Sequence, residues 1–174
     1  MSAPIMVTVG SATRSAWVPL DTSETPFNVT IGCVCSSNKN FTYSVEYSHD
    51  YPFDAAPCTL SRSTTTATLG LTDHGLTTSD SILVTGTGST SLDGTFQVAG
   101  VTNQNVITYT VVDAGITTSL SAKVAVMRVF THATLVSKTA NADGNLAFPV
   151  QAVRLNVTPW AAGYVTMIVM QSGV

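Results

Sequence analysis

The sequence predicts an all-β protein: an antiparallel β-sandwich, of jelly-roll or immunoglobulin-like kind, with a smaller inserted β module. Three observations predict it. No window of useful length keeps apolar residues at helical spacing with polar residues between, so amphipathic helices are not expected. Period-two alternation of Val, Ile, Thr and Tyr recurs along the chain, as half-buried strands require. Gly, Asn and Asp interrupt these runs roughly every eight to twelve residues, the turn spacing of all-β domains.

Taken in order, residues 1–16 read as a polar arm with one apolar run, Ile5-Met6-Val7-Thr8-Val9, suited to an edge strand or to docking on a neighbour. Trp17-Val18-Pro19-Leu20 leads into a turn over 21–26 and a strand over 27–35. After a turn at 36–40, residues 41–47 are expected to pair back as a hairpin. There Tyr43, Val45 and Tyr47 alternate with Thr42, Ser44 and Glu46, the pattern of a sheet with one buried face. From about 59 to 127 the chain grows richer in Thr and Gly and has no Trp. Its strand-sized runs close on Gly or Asp-Gly, which predicts a compact series of antiparallel hairpins. Residues 139–145 read as a turn, 146–150 as a short strand or edge, and 153–157 as a strand. A turn at 159–163 precedes the last strand, 164–171, whose near-continuous apolar character suggests burial on both faces or against a partner. The expected organisation is a base sandwich from 1–58 and 128–174, with an N-terminal arm (1–16), and a module at 59–127 between its halves. Three serial β pieces are the alternative.

Composition narrows the function. Of 174 residues only 10% are charged and 44% are hydrophobic, against about a quarter charged in ordinary domains. A folded surface so poor in charge is covered by hydroxyls and apolar atoms, which suits lasting contact with other protein. The net charge is -3 and the seven basic residues are scattered, so no nucleic-acid partner is expected. Apolar runs are strand-sized, short of the roughly 20 residues of a membrane-spanning helix, and no membrane partner is expected. The opening Met-Ser-Ala-Pro-Ile-Met-Val lacks the basic and apolar regions of a secretory signal, which leads us to expect synthesis in the cytoplasm.

Candidate chemistry is sparse. Cys33 and Cys35 fall on one strand face, with Cys58 distant, a poor zinc set that reads as buried thiols. The three histidines, His49, His74 and His132, lie far apart in sequence, so no metal site is assigned. Asp73-His74 could supply a base and its orienter, but no nucleophile motif accompanies them. The structural reading has Asp73 bonding backbone N–H groups beside a Gly75 of positive φ. Asp93-Gly94 and Asp143-Gly144 read as turn dipeptides. No catalytic residue and no cofactor is assigned. Trp17 and Trp160 serve as core anchors, as subunit contacts or as sugar-stacking platforms.

The outer segments carry a resemblance. Trp17-Val18-Pro19-Leu20-Asp21, Pro26-Phe27-Asn28-Val29 and Tyr43-Ser44-Val45-Glu46-Tyr47-Ser48-His49-Asp50 resemble stretches of small virion structural proteins of tailed bacteriophages, of head-decoration type. So do Thr139-Ala140-Asn141-Ala142-Asp143-Gly144-Asn145 through Pro149-Val150, Val153-Arg154-Leu155-Asn156-Val157 and the closing Val165 to Gln171. The central Asp73-His74-Gly75-Leu76 segment resembles a small β module of phage tail and fibre proteins. The resemblance implies a non-enzymatic capsid decoration (cement) protein on the capsid exterior, with the major capsid protein as partner and self-association into a homotrimer. The contacts expected on that basis are Ile5, Val7, Val9, Trp17, Phe27, Phe148 and Trp160. A tail, neck or baseplate component is the first alternative, and a carbohydrate-binding host-adhesion module the second.

Overall fold

The computed structural model describes residues 3–51 and 55–171, and within them the protein is all-β. The chain forms two compact units, one from Met1–Asp50 with Val129–Val174, the other from Tyr51–Arg128.

The first unit is a sandwich of two four-stranded antiparallel sheets. One has the order β1 (Ile5–Val9), β13 (Val165–Gln171), β3 (Val29–Cys35), β11 (Ala142–Leu146). The other runs β10 (Phe130–Thr131), β4 (Asn40–Ser48), β12 (Ala152–Ala162), β2 (Val18–Pro19). Each strand turns alternate side chains inward. Val29, Ile31 and Cys33 meet Tyr43, Val45, Val153, Leu155, Val157, Val165, Met167 and Val169 in one apolar interior. Burying each such side chain contributes about 1.5–3 kcal/mol before the cost of ordering the chain.

The expected hairpin of 27–35 with 41–47 does not form. β3 and β4 lie in opposite sheets and face each other across the core. Each has one apolar face at period two, and crossing between the sheets buries both faces in one interior. The crossing at 36–39 is tied to the turn before β13. The Ser36 N–H donates to the Tyr164 carbonyl at 2.9 Å, and the Tyr164 N–H donates to Ser36 Oγ at 3.0 Å. Gly163, at φ 89°, passes so near that a Cβ would lie 2.9 Å from Lys39 Cα. Only glycine meets both demands.

Two further expectations are corrected. Asp143-Gly144 is not a turn but the middle of β11, where Gly144 pairs with Ile31, and 147–150 lies outside any strand. The last strand, β13, is central in its sheet and buried on its inner face only. Val165, Met167 and Val169 point inward, while Met170 on the opposite face is exposed.

The second unit is built on two long antiparallel strands, β5 (Ala56–Gly70) and β9 (Val106–Val126). β6 (Ser81–Thr85) pairs with the C-terminal end of β9 and with β7 (Gly94–Gln97), while β8 (Gly100–Asn103) pairs with the N-terminal end of β9. Leu60, Ala67, Leu69, Ile82, Val84, Leu92, Ile107, Tyr109 and Val124 form its own core. The long ribbon has a bulge: between the Thr64–Gly115 and Thr66–Thr110 pairs, β9 uses more residues than β5.

Candidate interaction surface

The β1-β13-β3-β11 sheet turns one face to the core and the other outward. Register places Met6, Ile168, Gly32 and Asp143 in one row across the outer face. The next row holds Thr8, Thr166 and Val34, with the Thr8 and Thr166 hydroxyls 2.8 Å apart. Met6 is 63% exposed, Met170 50% and Val34 47%. No charged residue occurs in β1, β3 or β13, so Asp143 on edge strand β11 is the acidic boundary of an uncharged surface. A Cβ on Gly32 would meet nothing within 4 Å. The row therefore has a projecting methionine and an open notch, with Ile168 between them.

A second surface gathers aromatic rings. Tyr47 stacks on Phe130 with centroids 5.6 Å apart and 22° between planes, and meets Phe148 and His49 edge-on at 5.6 Å. His49 in turn lies 5.4 Å from Phe130 and 6.0 Å from Phe148. His49 Nδ1 is 3.1 Å from the Pro149 carbonyl, which fixes the ring. Phe130, Phe148 and His49 are exposed. Such a cluster presents a stiff apolar area at low entropic cost, as protein contacts and sugar platforms both do.

The seven residues expected at contacts divide sharply. Ile5 and Phe148 are exposed, whereas Val7 and Trp160 are partly buried against the sandwich core. Val9, Trp17 and Phe27 are buried. Trp160 Nε1 donates to the Gly163 carbonyl at 2.9 Å. Trp17 instead covers Arg154, whose guanidinium carbon lies 4.2 Å from the ring centroid. Phe130, Tyr47 and His49, which form the aromatic cluster with Phe148, are not among those seven. The available signal was period two, which puts Tyr47 and His49 on one face of the strand.

Beneath Trp17 lies a buried ionic group. Glu46 accepts from Arg154 Nε at 2.7 Å, from Asn156 Nδ2 at 2.7 Å and from Arg14 Nε at 3.3 Å. Desolvation lowers the Arg154 pKa, and Glu46 opposes that shift. The alternation seen in sequence had placed Glu46 on an open polar face. Cys33 is buried, and desolvation pushes its thiol up to about 12, the nearby Tyr43 hydroxyl partly offsetting the rise.

In the second unit His74 is structural. Its Nδ1 accepts the Leu76 N–H at 2.9 Å, and its Nε2 lies 2.9 Å from the Asn103 carbonyl, to which it donates. The turn is held by His74 and by Asn105 Oδ1, which accepts the Asp73 N–H at 3.0 Å, rather than by the Asp73 carboxylate. Gly75 has φ 59° and Asp73 itself φ 49°. At the β9 bulge Arg62 Nη1 donates to the Asp113 carbonyl at 3.3 Å, and the guanidinium lies over Gly115. Val112 and Ile116 beside it are 95% and 83% exposed. Among the described residues, no group of three or more His, Cys, Asp or Glu side chains is placed to hold a metal ion.

No family model matches the chain, and no curated protein matches it. Among solved structures it is similar to the phage phi92 endosialidase, at 21% identity and a TM-score of 0.30 over 72% of this chain. The match spans 14% of that protein's length.

Proposed function

We propose that this chain is a non-enzymatic structural protein of a bacteriophage virion, a capsid decoration protein that binds across junctions of the major capsid protein. The observation that carries this reading is the pair of open surfaces on the sandwich: an uncharged sheet face of Met, Ile, Val and Thr side chains and an exposed aromatic cluster around Tyr47. The resemblance of the outer segments to phage head proteins supports it, as does the low charge of the whole chain. The aromatic cluster, with Phe130 and Phe148 foremost, is the surface assigned to the capsid lattice. Binding only the assembled shell stabilises that state by mass action, by about 2.7 kcal/mol at a hundredfold excess over Kd.

The test is rebinding. Purified chain is added to expanded capsids stripped of it, and bound copies and shell melting are measured. Binding that raises the melting temperature, and is weakened in Phe130→Ala/Phe148→Ala, supports the reading. No binding and an unchanged melt would sink it. The aromatic cluster also favours a second reading, host-glycan adhesion, in which the rings stack on sugars. A glycan screen in which the same double variant loses its signal would favour that reading over the first.

A further inference from the structure

We infer that the outer face of the β1-β13-β3-β11 sheet is a contact between two copies of this chain, related by a two-fold axis running along β13 over Ile168. The inference concerns self-association and does not require the capsid reading.

The row Met6, Ile168, Gly32, Asp143 determines the geometry. β13 is the middle strand of the three that bear the apolar face, with β1 on one side and β3 on the other. A two-fold axis along β13 exchanges those sides. It sets Met6 of each copy over Gly32 of the other, Thr8 over Val34, and Ile168 over its own counterpart. Met6 is 63% exposed, and the space above Gly32 is empty to 4 Å. A projecting side chain thus meets a notch twice, as an isologous contact requires.

Charge agrees with this pairing. β1, β13 and β3 have no charged residue, so a copy of the same face meets no repulsion and leaves no ion unpaired. Asp143 lies one strand beyond Gly32. The axis carries it past the partner's β1, to the rim, where a carboxylate stays hydrated.

The size of the face sets the strength. Three strands of five to seven residues present on the order of 300 Å² of projected area, well under the roughly 800 Å² per partner of a standard interface. The pair is therefore weak in dilute solution and gains strength where copies are held close together.

Sedimentation velocity on the purified chain tests it, over a concentration series from about 10 μM to about 1 mM. The expected result is a monomer–dimer equilibrium. Met6→Glu and Gly32→Val are each expected to weaken it by at least about tenfold, with thermal melts at or above wild type for Gly32→Val, since the added side chain enters open space. Asp143→Ala is expected to leave it unchanged. A chain monomeric throughout the series would overturn the inference, and so would a dimer indifferent to both substitutions. No capsid is present, so either failure leaves the decoration reading to its own test.

Discussion

The imidazole of His132 occupies the space that a side chain on Gly144 would need. A Cβ on Gly144 would lie 2.8 Å from His132 Cε1 and 3.1 Å from Leu135. The ring is buried and fully engaged. Its Nδ1 accepts the Thr134 and Leu135 N–H groups at 3.2 and 3.3 Å, so the proton sits on Nε2, which lies 3.2 Å from the Asn145 carbonyl. One histidine thereby joins the 132–135 loop to β11. Gly144→Ala should displace the ring and cost about 1–3 kcal/mol, the usual range for overpacking. Urea melts should show a lower midpoint with an unchanged slope.

Glu46 is held by two guanidiniums and one amide. Glu46→Ala leaves Arg154 buried without its carboxylate, and a loss of about 3–5 kcal/mol is expected. Glu46→Leu combined with Arg154→Met should recover much of that loss, because both buried charges are then gone and the exposed Arg14 can turn to solvent. A double-mutant cycle measured by chemical denaturation checks both statements.

Trp17 Nε1 is buried with no hydrogen-bond partner among the described residues. The ring serves as a cover over Arg154, and its N–H contributes nothing to stability. Trp17→Phe should therefore cost less than about 1.5 kcal/mol, while Trp17→Ala should cost about 3–5 kcal/mol. Thermal melts of the two variants separate these outcomes.

Cys33 titrates far above an ordinary thiol because it is desolvated in the core. The unfolded chain releases that proton near pH 9.0, whereas the folded chain retains it to about 12. Above pH 9 the unfolded state binds fewer protons, so the sign is destabilising as pH rises. The Cys33 contribution should be flat below pH 9 and fall toward pH 12, and Cys33→Val should flatten part of that alkaline decline. Native-state alkylation at pH 8 should spare Cys33, with labelling appearing only in denaturant.

Arg62 pins the β9 bulge through the Asp113 carbonyl and by lying across Gly115. Arg62→Ala should free Val112 to Ile116 while leaving the second core intact. Hydrogen exchange should accelerate at 111–116 and stay unchanged at Leu69, Ile107 and Tyr109.

The all-β class was legible because strand alternation is a local property. Tyr43 and Val45, or Val165, Met167 and Val169, announce an inward face without reference to any other strand. Strand partners were not legible. Ile31 pairs with Val169 and Gly144, and Glu46 with Arg154, across more than a hundred residues. No local rule distinguishes that arrangement from a β3–β4 hairpin. The burial of Glu46 escaped notice for the same reason, since it depends on Arg14, Asn156 and Arg154 arriving from elsewhere. Phe148 is expected at a contact on the strength of the resemblance. Its cluster with Phe130, Tyr47 and His49 exists only after β4 and β10 have paired.

On the proposed reading, this polypeptide works by adhering to capsid subunits. Its position in a reconstruction of a virion whose genome encodes it decides between that reading and its alternatives. Density for many copies at symmetric positions on the shell, with the Phe130 and Phe148 end against capsid subunits, is the expected result. Density confined to the tail axis, or a particle that lacks the chain altogether, would contradict it.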